Sequence, residues 1–192
     1  MSYVEIVASN QLDERVIKSL LEQQAPIDIF GVGTNLVTGN PDSALDGVFK
    51  LSMCNNKPRL KISENIKKVT LPGLKKIIRY TDDNGFIQAD AIALKDEEYI
   101  NKMYHQFDKE KSKSLTGLNE NNLTRLVAEK GSIKIKIESA EIIREKVKDN
   151  LSKLPEEYKR FEFPHIYKVG ISEKLMKLRE ELKNNFTNSK QI

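Results

Sequence analysis

Apolar positions along this chain follow different rhythms in different regions. YVEIVA (residues 3–8) is a short apolar run that predicts a strand. In SNQLDERVIKSLLEQQAP, Leu12, Val16, Ile17, Leu20 and Leu21 recur at helical spacing. Asp13 and Glu14 stand where such a helix would begin, at the end that favours negative charge, and Pro26 follows its end. IDIFGV, from Ile27, is apolar enough to predict a second strand buried on both faces. A strand, a helix and a strand within about 30 residues predict a βαβ unit, parallel and right-handed.

From Gly47 the rhythm shortens to two. Val48, Lys50 and Ser52 alternate with Phe49, Leu51 and Met53, which predicts a half-exposed antiparallel strand over VFKLSMC, a turn at NNKP and a return strand over RLKIS. KKIIRYTDDNGFIQADAIAL predicts a second hairpin turning at DDNG. From Asp96 to Asn122 the chain is polar, and FDKEKSKSLTGLNENN reads as a loop; LTRLVAEKG and SIKIKI read as short extended pieces. Helical spacing then returns. SAEIIREKVKDNLSKL predicts an amphipathic helix with Ser139 as N-cap, and PEEYKR a short helix with Pro155 in its first turn. ISEKLMKLREELKNNF predicts a last helix capped by Ser172, with Leu175, Met176, Leu178 and Leu182 as its apolar stripe. No internal repeat emerges. The pattern divides the chain into a βαβ part (1–46), β hairpins (47–95) and a loop and helical region (96–192).

Composition changes this picture little. Of the 192 residues, 31% are charged and 39% apolar, which suits a folded chain rather than a disordered one. No apolar run approaches the roughly 18 residues that span a bilayer. The first residues lack a basic stretch followed by an apolar core, so no signal peptide is expected. Cys54 is the only cysteine, which excludes an internal disulfide and disfavours a cysteine-based zinc site. These features predict a cytoplasmic protein. Charge is uneven. Lys50, Lys57, Arg59, Lys61, Lys67, Lys68, Lys75, Lys76 and Arg79 face one acid, Glu64, between Gly47 and Tyr80. That segment favours anionic partners, with Lys50, Lys61 and Lys75 as candidates for attracting phosphate; the plainer reading is a solvated, lysine-rich sheet face. Few aromatic residues interleave these cations, which argues against nucleic acid.

The candidate chemistry lies at the strand ends. Gly31-Val32-Gly33-Thr34 follows the second strand, where parallel α/β folds place their ligands. Glycines there let backbone N–H groups approach a phosphate, and Thr34 adds a hydroxyl. A tight turn explains the same residues. Ser9 and Asn10 end the preceding strand and offer donors on the same rim, as in barrel phosphate sites; Asn10 or Asp13 also suits a helix cap. The pairs Asp82–Asp83 and Glu97–Glu98 read as turn and helix-start residues, and no spacing suggests a metal cluster. Cys54 reads as structural.

IVASNQLDE, IDIFGVGTNLVT, ALDGVFKLS, KISENIKKVTLPGLKKIIRY and FPHIYKVGISEKLMKLREEL occur in the order found in one family. The chain resembles the C-terminal portion of nicotinate phosphoribosyltransferases. The resemblance implies an irregular α/β barrel beside an antiparallel β domain, with the first two strands here closing the barrel and the hairpins returning to the β domain. It implies joining nicotinate to phosphoribosyl pyrophosphate to give nicotinate mononucleotide and pyrophosphate, helped by ATP and magnesium. On this resemblance Gly31, Val32, Gly33 and Thr34 hold the sugar 5-phosphate, with Ser9 and Asn10 as companion loop, and no nucleophile or base maps onto these residues. Family members are longer at the N-terminal side, where the phosphorylated histidine lies. His105 and His165 do not replace it; His165 reads as packing under the last helix. The chain is therefore expected to self-associate or to need a partner chain carrying the N-terminal half. A non-catalytic split-gene subunit or truncated scaffold, and a small basic nucleic-acid-binding module, are the alternatives.

Overall fold

The computed structural model describes residues 3–44 and 47–188, the side chains of Lys67 and Asn188 excepted. Leu45 and Asp46, within the ALDGVFKLS block, lie outside the described residues. The chain forms two compact units, Met1–Phe49 and Lys50–Ile192. Among the described residues no helix is long and apolar enough to cross a membrane.

The first unit contains β1 (Val7–Ser9), α1 (Glu14–Glu22), β2 (Ile29–Gly31) and α2 (Thr34–Thr38). β1 and β2 pair in parallel, Val7 with Ile29, Ala8 with Phe30 and Ser9 with Gly31. The expected βαβ connectivity is present. Asp13 caps α1, its Oδ1 accepting from the N–H groups of Arg15 (3.0 Å) and Val16 (2.8 Å). Both strands are shorter than the apolar runs suggest. The expected burial of the second strand on both faces is also incorrect: Ile29 is 45% exposed and Phe30 only half-buried. β1 and β2 form a two-stranded sheet, so neither strand gains a second neighbour among the described residues.

The second unit opens with the small hairpin β3 (Met53–Cys54) and β4 (Lys57–Pro58), turned by Asn55 and Asn56 in left-handed conformation. The alternating runs beside it do not extend the strands. Leu51 stays 64% exposed, and the Ser52 carbonyl accepts instead from the N–H groups of Arg59 and Gly73. Period-two alternation makes a strand only where one face has something to bury.

β5 (Lys75–Thr81) and β6 (Ile87–Leu94) form the expected antiparallel hairpin. Asp82 closes its turn by accepting from the N–H groups of Asn84 (3.0 Å) and Phe86 (2.9 Å). β8 (Asp108–Ser114) and β9 (Asn119–Asn122) lie in the stretch read as a loop, a second correction, and β7 (Lys102–His105) lies just before it. The sheet order β8-β7-β12-β6-β5-β9 explains the error, with β12 spanning Val169–Ser172. β8 and β9 are the two edges, where polar and lysine-rich sequence blocks further pairing. β12 runs parallel to β6 and antiparallel to β7. Before β12 come the short pair β10 (Ala128–Glu129) and β11 (Ser132–Ile133), then α3 (Ala140–Ser152) and α4 (Glu156–Lys159). α5 (Glu173–Asn188) is the last element among the described residues.

The core gathers Ile78, Tyr80, Ala89, Ala91, Ala93, Ile100, Met103 and Leu115. Three alanines at alternate positions of β6 leave room for Tyr80 and Ile78, which stand opposite Ala89 and Ala91. Tyr80 is fully buried and its hydroxyl donates to Glu120 (3.1 Å). α5 packs on β6, β7 and β12, with Leu175 fully buried and Met176, Leu178 and Leu182 half-buried, as its stripe predicts. Ser172 caps it: its Oγ accepts from the Leu175 N–H (3.2 Å) and donates to Glu97 (2.5 Å). Glu97 is thus a buried link between the β6 end and α5, not a helix-start residue. Gly170 lets β12 approach β7, since a Cβ there would lie 2.8 Å from Met103 Sδ and 2.9 Å from the Tyr104 carbonyl oxygen. Arg79 grips Asp90 in two-pronged fashion at 2.9 Å, and the Tyr167 hydroxyl donates to the same carboxylate (2.9 Å).

Candidate functional site

Parallel pairing puts Ser9 and Gly31 side by side, so the loops leaving β1 and β2 start from the same end of the sheet. This is where a βαβ unit presents ligand-binding loops. Asn10 (φ 78°) and Gln11 (φ 50°) take the left-handed conformation and carry the first loop into α1. The second loop runs through Val32 and Gly33 into α2. The side-chain amide of Asn35 donates to the Leu12 carbonyl (3.0 Å) and ties the two loops together. Sequence reading missed Asn35, because nothing in NLVT signals a partner more than twenty residues away.

The two glycines differ. A Cβ on Gly31 would come within 3.3 Å of Ser9 Cβ, so Gly31 sets the closeness of the strand ends. A Cβ on Gly33 would meet nothing within 4 Å. Packing inside the chain therefore makes no demand for glycine at 33. Gly33 is the N-cap of α2, and its carbonyl accepts from Leu36 and Val37. The N–H groups that open a helix have no earlier carbonyl to bond. Thr34, exposed, uses its carbonyl to accept the Thr38 hydroxyl, while its own hydroxyl has no acceptor among the described residues. Ser9 and Asn10 are likewise exposed, and Val32 is half-buried. The arrangement can present N–H and O–H donors to an anion; it contains no general base or nucleophile.

The candidate lysines belong to the second unit. Lys50 and Lys61 are exposed. Lys75 is half-buried and its ammonium donates to the carbonyls of Leu71 (2.8 Å) and Gly73 (2.6 Å), while burial holds its pKa below the ordinary value. His105 ends β7, exposed and edge-on to Phe107 at 6.0 Å. His165 is exposed and stands edge-on to Tyr158 of α4 at 6.3 Å, so it does not pack under the last helix as expected; the FPHIYKV segment leads into a sheet strand instead. Cys54 is exposed on β3. Among the described residues no three His, Cys, Asp or Glu side chains converge, so these residues offer no ready cage for a divalent ion.

A family model described as the nicotinate phosphoribosyltransferase C-terminal domain matches residues 74–179. The nicotinate phosphoribosyltransferase of Bacillus subtilis (strain 168) is 38% identical over 177 residues, covering 88% of this chain and 36% of that protein. The enzyme of the same name from Caenorhabditis elegans is 34% identical over 176 residues, covering 88% of this chain and 31% of that one. The crystal structure of human nicotinic acid phosphoribosyltransferase shares the fold, with a TM-score of 0.72 at 24% identity over 93% of this chain and 33% of that chain. The chain spans about a third of the length of the curated relatives it matches.

Proposed function

This chain belongs to the nicotinate phosphoribosyltransferase family, and we propose that it supplies that enzyme's sugar-phosphate-binding strand ends. Ser9, Asn10 and Gly31 to Thr34 would hold the 5-phosphate of phosphoribosyl pyrophosphate while nicotinate displaces pyrophosphate at the ribose. The nicotinate ring nitrogen forms the new bond to the sugar carbon, and the carbon–oxygen bond to pyrophosphate breaks. The contribution of these residues is orientation and charge stabilisation. The observation that carries this reading is the side-by-side placement of Ser9 and Gly31, with open space where a Gly33 side chain would stand. A phosphate uses that kind of space.

On the same reading β1 and β2 are the last strands of an α/β barrel. Their exposed apolar residues support it, because an isolated two-stranded sheet leaves faces that a complete barrel covers. The remaining strands, the nicotinate contacts and the groups that use ATP and magnesium would come from polypeptide matching the rest of the relatives. The described residues offer no donor set for magnesium, and no step here is routed through it.

The test is phosphoribosyl transfer by the chain alone and after mixing with polypeptide matching the remainder of the relatives. The chain alone should give no nicotinate mononucleotide and the mixture should. In the active mixture, Thr34→Val removes one donor to an anion, a contact worth about 1.5–3 kcal/mol, so phosphoribosyl pyrophosphate affinity should fall roughly tenfold or more. Nicotinate affinity should change less. Equal loss of both, with unchanged folding, counts against the assignment.

A further inference from the structure

A groove of about 490 Å³ lies in the second unit, between the β7–β8 hairpin and the chain entering β12. Its size falls in the range of small-molecule sites. One wall is apolar: Ile166 is 91% and Val169 48% exposed, and half-buried Tyr104 continues the surface above the buried Met103. The Lys102 ammonium stands 5.2 Å from the centre of the Tyr104 ring, a cation–π contact.

The charge around the groove is one-sided. Among its lining residues are Lys111, Lys113 and Lys168, and no carboxylate. Lys111 is paired with Asp108 at 3.0 Å. Lys113 donates only to the Gln88 carbonyl (3.1 Å), which leaves ammonium protons free, and Lys168 has no carboxylate partner among the described residues. Burial and the charge of Lys168 hold the Lys113 pKa below its ordinary value. Two unbalanced cations facing one concave space repel each other, and an anion placed between them removes that repulsion.

We propose that this groove binds a small organic anion with a flat apolar body, its charge between Lys113 and Lys168 and its body against Ile166, Val169 and Tyr104. The groove is bordered on one side by the β7–β8 hairpin, and its volume suits a small molecule. The proposal does not depend on the phosphate-loop reading, which concerns the first unit.

The 192-residue chain is titrated with 8-anilinonaphthalene-1-sulfonate and with its uncharged counterpart N-phenyl-1-naphthylamine, followed by fluorescence and by amide shifts in nitrogen-15 spectra. The sulfonate should bind one site and move the amides of Ser112, Lys168, Val169 and Gly170. The uncharged dye should bind about tenfold more weakly or worse, as expected for loss of a charge-assisted contact. Lys113→Gln with Lys168→Gln should weaken the sulfonate at least about tenfold. Ile166→Glu, at a side chain too exposed to affect folding, should do the same. Equal affinity for the two dyes, unchanged binding by these variants, or shifts centred on the exposed residues Ile142 and Val147 of α3 would overturn the proposal. Displacement of the dye by polyglutamate but not by naphthalene-1-sulfonate would overturn it in favour of a protein partner.

Discussion

Asp90→Ala tests how the second unit holds its parallel strand. The Asp90 side chain is 12% exposed and accepts three hydrogen bonds, two from Arg79 and one from Tyr167, each 2.9 Å. Tyr167 lies just before β12 and Arg79 lies on β5, so the carboxylate on β6 fastens the elements on both sides of it. Removing one partner of a fully buried ion pair costs about 3–5 kcal/mol, because the other charge is stranded. Here the Arg79 side chain is 25% exposed and regains some water, so the loss should be smaller, about 2–3 kcal/mol. For a chain of this size that lowers Tm by roughly 5–10 °C. Thermal unfolding of Asp90→Ala, Arg79→Met and the double variant, followed by circular dichroism, gives the coupling directly. The two losses should not add, with an interaction of about 1–2 kcal/mol. A Tm drop under about 2 °C, or additive losses, would refute the claim that this cluster clamps β5, β6 and the entry to β12.

The hydroxyls of Tyr80 and Tyr167 are both pushed above the ordinary tyrosine range, mainly by burial and then by the charges of Glu120 and Asp90. The folded state keeps protons that the unfolded chain releases, so this stability is present below about pH 10 and is lost as pH rises further; ultraviolet titration should show these two ionising only as the protein unfolds, and Tyr167→Phe should flatten the alkaline decline. Gly170→Ala forces a Cβ to within 2.9 Å of a backbone oxygen and should cost about 1–3 kcal/mol in urea unfolding; Met103→Ala in the same background should not restore it, since the Tyr104 carbonyl still clashes. Ser172→Ala removes the α5 cap and one donor to Glu97, for a loss of about 1–3 kcal/mol with unchanged m-value.

The parts of the fold legible in the sequence were those whose pattern is set by local burial. The β5–β6 hairpin has a turn motif between two apolar runs, and α5 has a stripe at helical spacing above a serine cap. β8 and β9 were illegible because edge strands are selected for polarity, and DKEKSKS carries the same residues as a solvated loop. β9 pairs with β5 and β12 with β6, across wide gaps in the sequence, and no local pattern specifies such partners. The groove beside β12 was hidden for the same reason, since Lys113 and Lys168 come together only once both strands are in place. In the first unit, the adjacency of Ser9 and Gly31 follows from reading two parallel strands joined by one helix. The bond from Asn35 to Leu12 does not, because a side-chain amide can find a carbonyl anywhere the backbone brings one.

A phosphate cradle gains affinity only when its donors are already fixed in place. In the first unit, beyond the short β1–β2 pairing and the Asp28 and Ile29 N–H groups on the Ile6 carbonyl, the fixing side-chain contacts are few: the Asp13 cap, the Asn35 amide on the Leu12 carbonyl, and the Ile6 N–H on Asp28 at 2.8 Å. Among the described residues Leu12 is the only apolar side chain of that unit that is buried. Hydrogen bonds at exposed sites contribute about 1 kcal/mol each, too little to hold two loops rigid against the entropy of ordering them. The exposed Val7 and Ile29 side chains are therefore the decisive surface, because covering them is what would stiffen the strand ends beneath Ser9 and Gly31. The proposed function then predicts poor phosphoribosyl pyrophosphate affinity for the chain alone, rising on addition of polypeptide matching the remainder of the relatives. Val7→Glu should abolish that rise while leaving every donor of the cradle unchanged.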